Sequence, residues 1–209
     1  MKELREGKIK TVIFDMDGTI YELDGENHGF KNSSLQKNVK LNSEKFFSEK
    51  EGISIKEAEK IIEKLNQKGT FLSVYAAKKY GITRKDFFDI VWNINPKSIV
   101  VNFQEAVDVI NELAKSNLEL ILLTQAPQVW QNNVFTFLNL QDLFTEVYTG
   151  ENYIHKLEMF SEFAKTRHPQ TVLAIGDQLE TDIDLAKEQG FYTFLVNSPK
   201  DLLKLINNE

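Results

Sequence analysis

The chain has no cysteine at all. It can therefore form no disulfide framework and no thiolate zinc site, and nothing in it points to secretion. It also lacks an excess of basic residues. The formal net charge is −6, with 25 Lys and Arg against 31 Asp and Glu, which argues against a nucleic acid polymer as the main partner. An anionic small molecule is still compatible with that charge, because a bound metal and a few backbone amides can reverse the local field. No apolar run approaches the roughly 20 residues needed to cross a bilayer, so no membrane partner is expected. The start, Met1-Lys2-Glu3-Leu4-Arg5-Glu6, is charged and has no apolar signal core. These absences lead us to expect a soluble, cytoplasmic protein. There is also no internal repeat and no low-complexity tract.

What is present is ordinary globular material: 42% hydrophobic residues, 27% charged residues and 15 Phe in 209 residues. That length suits a main domain carrying a smaller insert. Five short apolar runs read as strands buried on both faces: Thr11–Phe14, Leu118–Leu123, Glu146–Tyr148, Thr171–Ile175 and Tyr192–Val196. Helix-period segments separate the later ones. Phe103–Ser116 puts Ala106, Val107, Ile110 and Leu113 on one face; Gln128–Leu140, Leu157–Lys165 and Thr181–Gln189 follow, the last ending at Gly190. Alternation of this kind implies an α/β fold with a Rossmann-like parallel sheet.

The stretch after the first strand departs from the pattern. About 70 to 80 residues contain no convincing strand and read as helices. Ser54-Ile55-Lys56-Glu57 has capping-box spacing ahead of an apolar stripe of Ile55, Ala58, Ile61, Ile62 and Leu65. Thr70–Tyr80 and Arg84–Trp92 read as two further helices, whereas the polar stretch Gly25–Ser48 gives no firm assignment. We therefore expect a core domain over residues 1–22 and 97–209, interrupted by a helical insert over residues 23–96.

Two acidic clusters carry the chemistry. The first strand runs into Asp15-Met16-Asp17-Gly18-Thr19, where Gly18 permits a bend. Open parallel sheets bind their ligands at this end of a strand. Such a pair alone is as readily a turn cap as a catalytic pair. A later strand, however, ends the same way, in Gly176-Asp177-Gln178-Leu179-Glu180-Thr181-Asp182. Taken singly, Asp177 could close the strand and Thr181 or Asp182 cap the next helix. Two uncompensated carboxylate clusters at one sheet edge would repel each other. A divalent cation removes that repulsion, and hard oxygen ligands suit Mg²⁺. The second strand brings the Thr124 hydroxyl to the same edge, where it could equally cap the helix after Pro127. Lys156 follows the third strand and becomes meaningful only if phosphate binds beside the carboxylates, because that site needs a fixed positive charge.

In order, these residues resemble the haloacid dehalogenase-like hydrolase superfamily. Asp15-Met16-Asp17-Gly18-Thr19 is similar to its first motif, Thr124 to its second, Lys156 to its third, and Gly176-Asp177 with Asp182 to its fourth. The helical insert between the first and second motifs resembles that superfamily's C1-type cap. Lys68-Gly69-Thr70-Phe71-Leu72 and Tyr80-Gly81-Ile82 with Asp86-Phe87 are faintly similar to pyrimidine 5′-nucleotidase and phosphoglycolate phosphatase relatives. Three departures stand out. Gln125 follows Thr124 where Asn or Gly is usual. Lys156 lacks a following Pro, which leaves Lys165 as an alternative. Gln178 replaces a frequent Ser.

The resemblance implies a phosphomonoester hydrolase acting on a small phosphorylated metabolite, such as a nucleoside monophosphate, through an aspartyl-phosphate. Asp15 would be the nucleophile and Asp17 the general acid and base, with Thr124 and Lys156 also catalytic. Asp15, Asp17 (through its backbone carbonyl) and Asp177 would hold Mg²⁺. Asp182 belongs to the same metal cluster, either as a ligand or by orienting Lys156 or a metal-bound water. The same motifs also serve phosphomutases, and a non-catalytic metal-binding regulatory module is a third reading. The expected assembly is a monomer or weak homodimer. Of the insert's aromatics, Phe71, Tyr75, Phe87, Phe88 and Trp92 are expected mostly to form its own core, with one or two facing the site. His28, His155 and His168 show no ligand spacing and are read as surface or loop residues.

Overall fold

A computed structural model describes residues 1–207. A short helix α1 (Lys2–Arg5) precedes strand β1 (Thr11–Phe14) and a two-residue strand β2 (Glu22–Leu23). Four helices come next: α2 (Ser34–Glu51), α3 (Ile55–Gln67), α4 (Leu72–Tyr80) and α5 (Arg84–Val91). The chain returns through β3 (Val100–Val101), α6 (Gln104–Ala114), β4 (Glu119–Leu123), α7 (Gln128–Leu138) and β5 (Glu146–Tyr148). It ends with α8 (Lys156–Thr166), β6 (Val172–Gly176), α9 (Leu185–Glu188), β7 (Tyr192–Leu195) and α10 (Leu203–Ile206).

Five strands form one parallel sheet in the order β5-β4-β1-β6-β7. The β1 strand is central, with Phe14 opposite Leu122 of β4 and Ile175 of β6. Period-two alternation sorts the strand residues onto two faces. Val12, Phe14, Leu120, Leu122, Leu173 and Ile175 pack with residues of α6, α7 and α10. Ile13, Ile121, Leu123, Val172 and Ala174 pack with Phe160 and Phe163 of α8 and Ala186 of α9. This sorting gives the expected α/β layers and decides which helix each strand-end side chain meets.

The edge strands differ from expectation. Neither β5 nor β7 contains a fully buried residue, because each has a neighbour on one side only. A second difference is the antiparallel pair β2–β3, with Glu22 opposite Val101 and Leu23 opposite Val100. Two residues are too few for any alternation to register, so this stretch gives no strand signal. The pair ties together the two chain segments that leave and re-enter the sheet domain.

Between β2 and β3, the helices enclose an apolar cluster of their own. It is built on Phe46, Phe47, Ala58, Ile62, Ala76, Phe87 and Val91, with Tyr75, Phe88 and Trp92 packed against it. Of the five aromatics named, Phe71 lies outside that cluster and is 58% exposed. The expected capping box at the start of α3 is present, with Ser54 N–H donating to Glu57 at 3.0 Å. Within the unassigned stretch Gly25–Ser48 begins α2, the longest helix described, capped by Ser33 accepting from Gln36 N–H. Its buried set includes Ser43 and Glu44 as well as Leu35, Phe46 and Phe47, so the apolar stripe is broken by polar residues.

The segment expected as a helix over Thr181–Gln189 also differs. Residues Leu179–Asp184 form a wide π-turn, and only Leu185–Glu188 is α-helical. A turn of this type is uncommon and concentrates at functional sites. Here it carries Asp182 inward, where only 2% of the residue is exposed. The approach is so close that a Cβ on Gly176 would lie 2.3 Å from the Asp182 Cβ.

Candidate active site

The adjacent strands β4, β1 and β6 end side by side, and beyond their ends stand Thr124, Asp15 and Asp177. The parallel pairing runs one residue past β1, with Asp15 N–H donating to Ile175 C=O at 2.9 Å. Asp15 thereby continues the Ile13 face of the sheet, the side on which α8 packs. The first residue of α8 is Lys156, 4% exposed. Its Nζ donates to Asp15 Oδ1 at 2.5 Å and to Asp182 Oδ1 at 2.6 Å. Lys165 lies one helix face away, exposed and paired with Glu162 at 2.6 Å. Of the two lysines, Lys156 is the one that contacts Asp15.

Burial opposes the Lys156 charge, but Asp15 and Asp182 more than compensate, so the ammonium is held above its ordinary range. Burial pushes Asp15 well above the usual carboxylate range; Lys156 opposes this, while Asp182 and Asp177 add to it. Asp15 Oδ2 receives the Thr19 hydroxyl at a long 3.5 Å. Asp182 has both oxygens engaged, Oδ1 by Lys156 and Oδ2 by Gln178 N–H at 3.1 Å. Asp177 is different. Its Oδ1 is buried and has no hydrogen-bond partner among the described residues. Burial first, and then the Asp182 charge, push its pKa up to about 6. One carboxylate oxygen from each of Asp15, Asp177 and Asp182 falls within 4.8 Å of the others.

Asp17 turns the other way, toward α7. The Tyr21 hydroxyl donates to its Oδ1, and Trp130 Nε1–H donates to the same oxygen at 3.3 Å and to the Tyr21 oxygen at 3.0 Å. Burial raises the Asp17 pKa, while the bonds from Tyr21 and Trp130 pull it down. Thr124 is buried, and its Oγ1 accepts from Ala126 N–H at 3.1 Å. The structure thus gathers Asp15, Lys156, Asp177 and Asp182 into one cluster, with Thr124 beside it at the end of β4. Asp17 is held apart by two aromatic donors.

Those donors were not anticipated from the sequence. Trp130 lies in the first turn of the helix that follows Thr124, so its place just after Pro127 was the available signal. Tyr21 offered none, since it lies in an irregular loop. The three histidines are exposed, as expected, and His155 caps α8 by donating its N–H to Glu158 at 3.1 Å.

The family model for haloacid dehalogenase-like hydrolases matches residues 12–196. The chain belongs to that family. Solved structures agree at the level of fold. A haloacid dehalogenase phosphatase from Thermococcus onnurineus is 18% identical with a TM-score of 0.62, covering 96% of this chain and 99% of its own. A family enzyme from Bacteroides thetaiotaomicron, in complex with magnesium and inorganic phosphate, is 18% identical with a TM-score of 0.56, covering 95% and 100%. A haloacid dehalogenase-superfamily hydrolase from Geobacter sulfurreducens is 15% identical with a TM-score of 0.52, covering 94% and 99%. A search of curated protein sequences gave no significant match. Among the described residues of this family member, no helix is long and apolar enough to cross a membrane.

Proposed function

We propose that the chain is a Mg²⁺-dependent phosphomonoester hydrolase working through a phosphorylated Asp15. The observation that carries this reading is the pairing of a buried Asp15–Lys156–Asp182 bridge with an unpartnered Asp177 oxygen at the same strand ends. A buried carboxylate oxygen without a donor needs a cation. Three convergent carboxylates form an all-oxygen donor set of the hardness Mg²⁺ prefers. Asp15 and Asp177 are the side chains that would hold the ion, together with the Asp17 backbone carbonyl. Bound there, Mg²⁺ would neutralise charge shared by the nucleophile and the phosphoryl oxygens. The Bacteroides fold relative, crystallised with magnesium and phosphate, lends support.

Asp182 is better assigned to positioning. Its oxygens are already committed to Lys156 and Gln178 N–H, so it holds the ammonium against Asp15. Lys156 in turn fixes Asp15 Oδ1 and opposes the burial that favours its protonated form. In the first step, an Asp15 oxygen bonds to phosphorus as the bond to the leaving oxygen breaks, and the leaving oxygen takes a proton from Asp17. In the second, water attacks the same phosphorus, gives its proton to Asp17, and the Asp15–phosphorus bond breaks to release phosphate. Because Thr124 Oγ1 accepts from Ala126 N–H, its own proton remains available for a phosphoryl oxygen. The helices α2–α5 act as a cap that excludes water and selects the leaving group, drawn from small phosphorylated metabolites such as nucleoside monophosphates.

The test is phosphate release from a panel of nucleoside monophosphates, sugar phosphates and phosphoglycolate, with Mg²⁺ and with excess EDTA. Release is expected with Mg²⁺ alone, and Asp15→Asn should abolish it in a protein that still folds. Unchanged release by Asp15→Asn would remove Asp15 from the reaction.

A further inference from the structure

Between the cap helices and the loops after β4 and β5 lies a cavity of about 730 Å³. That volume is in the range of sites for small organic ligands. Its cap side is aromatic. Phe30 and Trp92 stack with centroids 6.0 Å apart and planes 14° apart, and Phe87 and Phe88 also line the wall. The Arg84 guanidinium lines the same space, but it is engaged by Gly150 C=O at 2.7 Å and Ser73 Oγ at 3.3 Å, and it lies over the Phe88 ring. Its charge therefore serves to join cap to core across the cavity.

On the core side the cavity meets Tyr153. The residue is 4% exposed and shares an apolar layer with Ile13, Leu123 and Phe160, the first two lying two residues and one residue ahead of Asp15 and Thr124. Its hydroxyl is buried and has no hydrogen-bond partner among the described residues. A phenylalanine would pack in that layer equally well, so packing does not account for the hydroxyl. Because Ile13 and Leu123 lead directly into Asp15 and Thr124, the shared layer sets Tyr153 against the strand ends that carry the phosphoryl site. Tyr153 is thus the residue that both lines the aromatic cavity and packs against the strands leading to Asp15 and Thr124.

We propose that Tyr153 is a specificity-determining residue whose hydroxyl hydrogen-bonds the substrate where the leaving group joins the phosphate, and that the cavity beyond it takes a flat, mainly apolar leaving group. The inference rests on the phosphomonoesterase reading and names the substrate class that reading leaves open. Flat rings match the stacked Phe30–Trp92 wall and the face of Phe88. A polyol would leave its hydroxyls unpaired against those rings.

The experiment compares the wild-type protein with Tyr153→Phe, both with Mg²⁺. Substrates are 1-naphthyl phosphate, phenyl phosphate and glucose 6-phosphate, and inorganic phosphate serves as a competitive inhibitor. The wild type should favour the two flat leaving groups over glucose 6-phosphate by at least about 10-fold in kcat/KM. Tyr153→Phe should lower kcat/KM on the flat substrates by about 10- to 100-fold, the loss expected for one buried hydrogen bond. Inhibition by inorganic phosphate, which has no leaving group, should change less than about 2-fold, and Tm should hold or rise because no bond is lost in the free protein. Equal turnover by Tyr153→Phe on every hydrolysed substrate would overturn the role of the hydroxyl. A preference for glucose 6-phosphate would overturn the cavity assignment. A parallel loss of phosphate inhibition would move the contact to the phosphoryl group and overturn the specificity role. Failure of the wild type to hydrolyse any phosphomonoester would bring down the phosphatase reading and this inference together, whereas the other three outcomes leave that reading intact.

Discussion

A Cβ atom on Gly18 would stand 2.4 Å from Oδ2 of Asp177, so the loop after β1 approaches the end of β6 closely at a residue that has no side chain. Gly18 also has φ +83°, a region that residues with a Cβ enter with strain. Both facts place the Asp17–Gly18 backbone against the carboxylate that has an unpartnered oxygen. Gly18→Ala should therefore push Asp177 aside as well as strain the loop. We expect a loss of at least about 100-fold in Mg²⁺-dependent phosphate release, the scale that follows a displacement of about 1 Å in a reacting site. Steady-state kinetics across a Mg²⁺ titration would check it. Wild-type activity and Mg²⁺ affinity in that variant would show that the contact has no bearing on the metal site.

The raised pKa of Asp177, about 6, has a stability consequence that Mg²⁺ should reverse. With metal absent, the folded protein holds this proton more tightly than the unfolded chain does. Stability contributed by the group is then present below the unfolded value and is lost as pH rises through about 6. Metal-free protein should lose thermal stability across that interval. Saturating Mg²⁺ should raise Tm at pH 7 to 8 and have progressively less effect below about pH 6, where protons compete for Asp177. Scanning calorimetry over a pH series, with Mg²⁺ and with EDTA, measures both trends. A pH-independent Mg²⁺ effect would exclude Asp177 as a ligand.

The parts of the fold that proved legible share one property, a pattern long enough to repeat. Strand β1 is a buried four-residue run leading into Asp15, and α3 is a capped stripe over thirteen residues. The α2 helix escaped because Ser43 and Glu44 interrupt its buried face, although Ser33 with Gln36 and the left-handed Gly52 mark both ends. The π-turn at Leu179–Asp184 escaped for another reason. Its geometry is set by the fit of Asp182 against Gly176, a contact between residues that local propensity does not register. In the site, motif spacing found the residues at strand ends, which a parallel sheet gathers whatever lies between them. It missed Tyr21, Trp130, Tyr153 and Arg84, whose roles depend on where loops and the cap come to rest against the sheet.

Lys156 sits between two buried carboxylates, at 2.5 Å from Asp15 and 2.6 Å from Asp182. Removing it leaves like charges facing each other without solvent. Lys156→Met should cost about 3–5 kcal/mol of stability, the range for breaking one side of a buried ion pair. Converting Asp182 to an apolar residue in the same protein should recover a good part of that loss, since one uncompensated charge disappears. Turnover should not recover in Lys156→Met/Asp182→Leu, because Asp15 would still lack its cation. Urea unfolding and phosphate release, measured on both variants, separate the two effects. Recovery of turnover in the double variant would make Lys156 a purely structural residue.

Tyr21 and Trp130 both donate to Asp17 Oδ1, and both bonds favour the ionised form of a carboxyl that burial otherwise pushes up. In its proposed role as general acid, Asp17 must enter the first step protonated, so its pKa would set the alkaline limb of kcat/KM. Tyr21→Phe removes one donor to the ionised form and should raise the Asp17 pKa further. The alkaline limb should then move to higher pH, with little change in kcat/KM at its plateau. Asp17→Asn provides the companion test. It should lower kcat/KM by about 10²- to 10⁴-fold on alkyl phosphates, whose leaving oxygen needs the proton. The loss should be much smaller on p-nitrophenyl phosphate, whose phenolate departs without one. An equal loss on both substrate types would place Asp17 in binding or metal positioning, and an unshifted limb in Tyr21→Phe would assign that titration to another group.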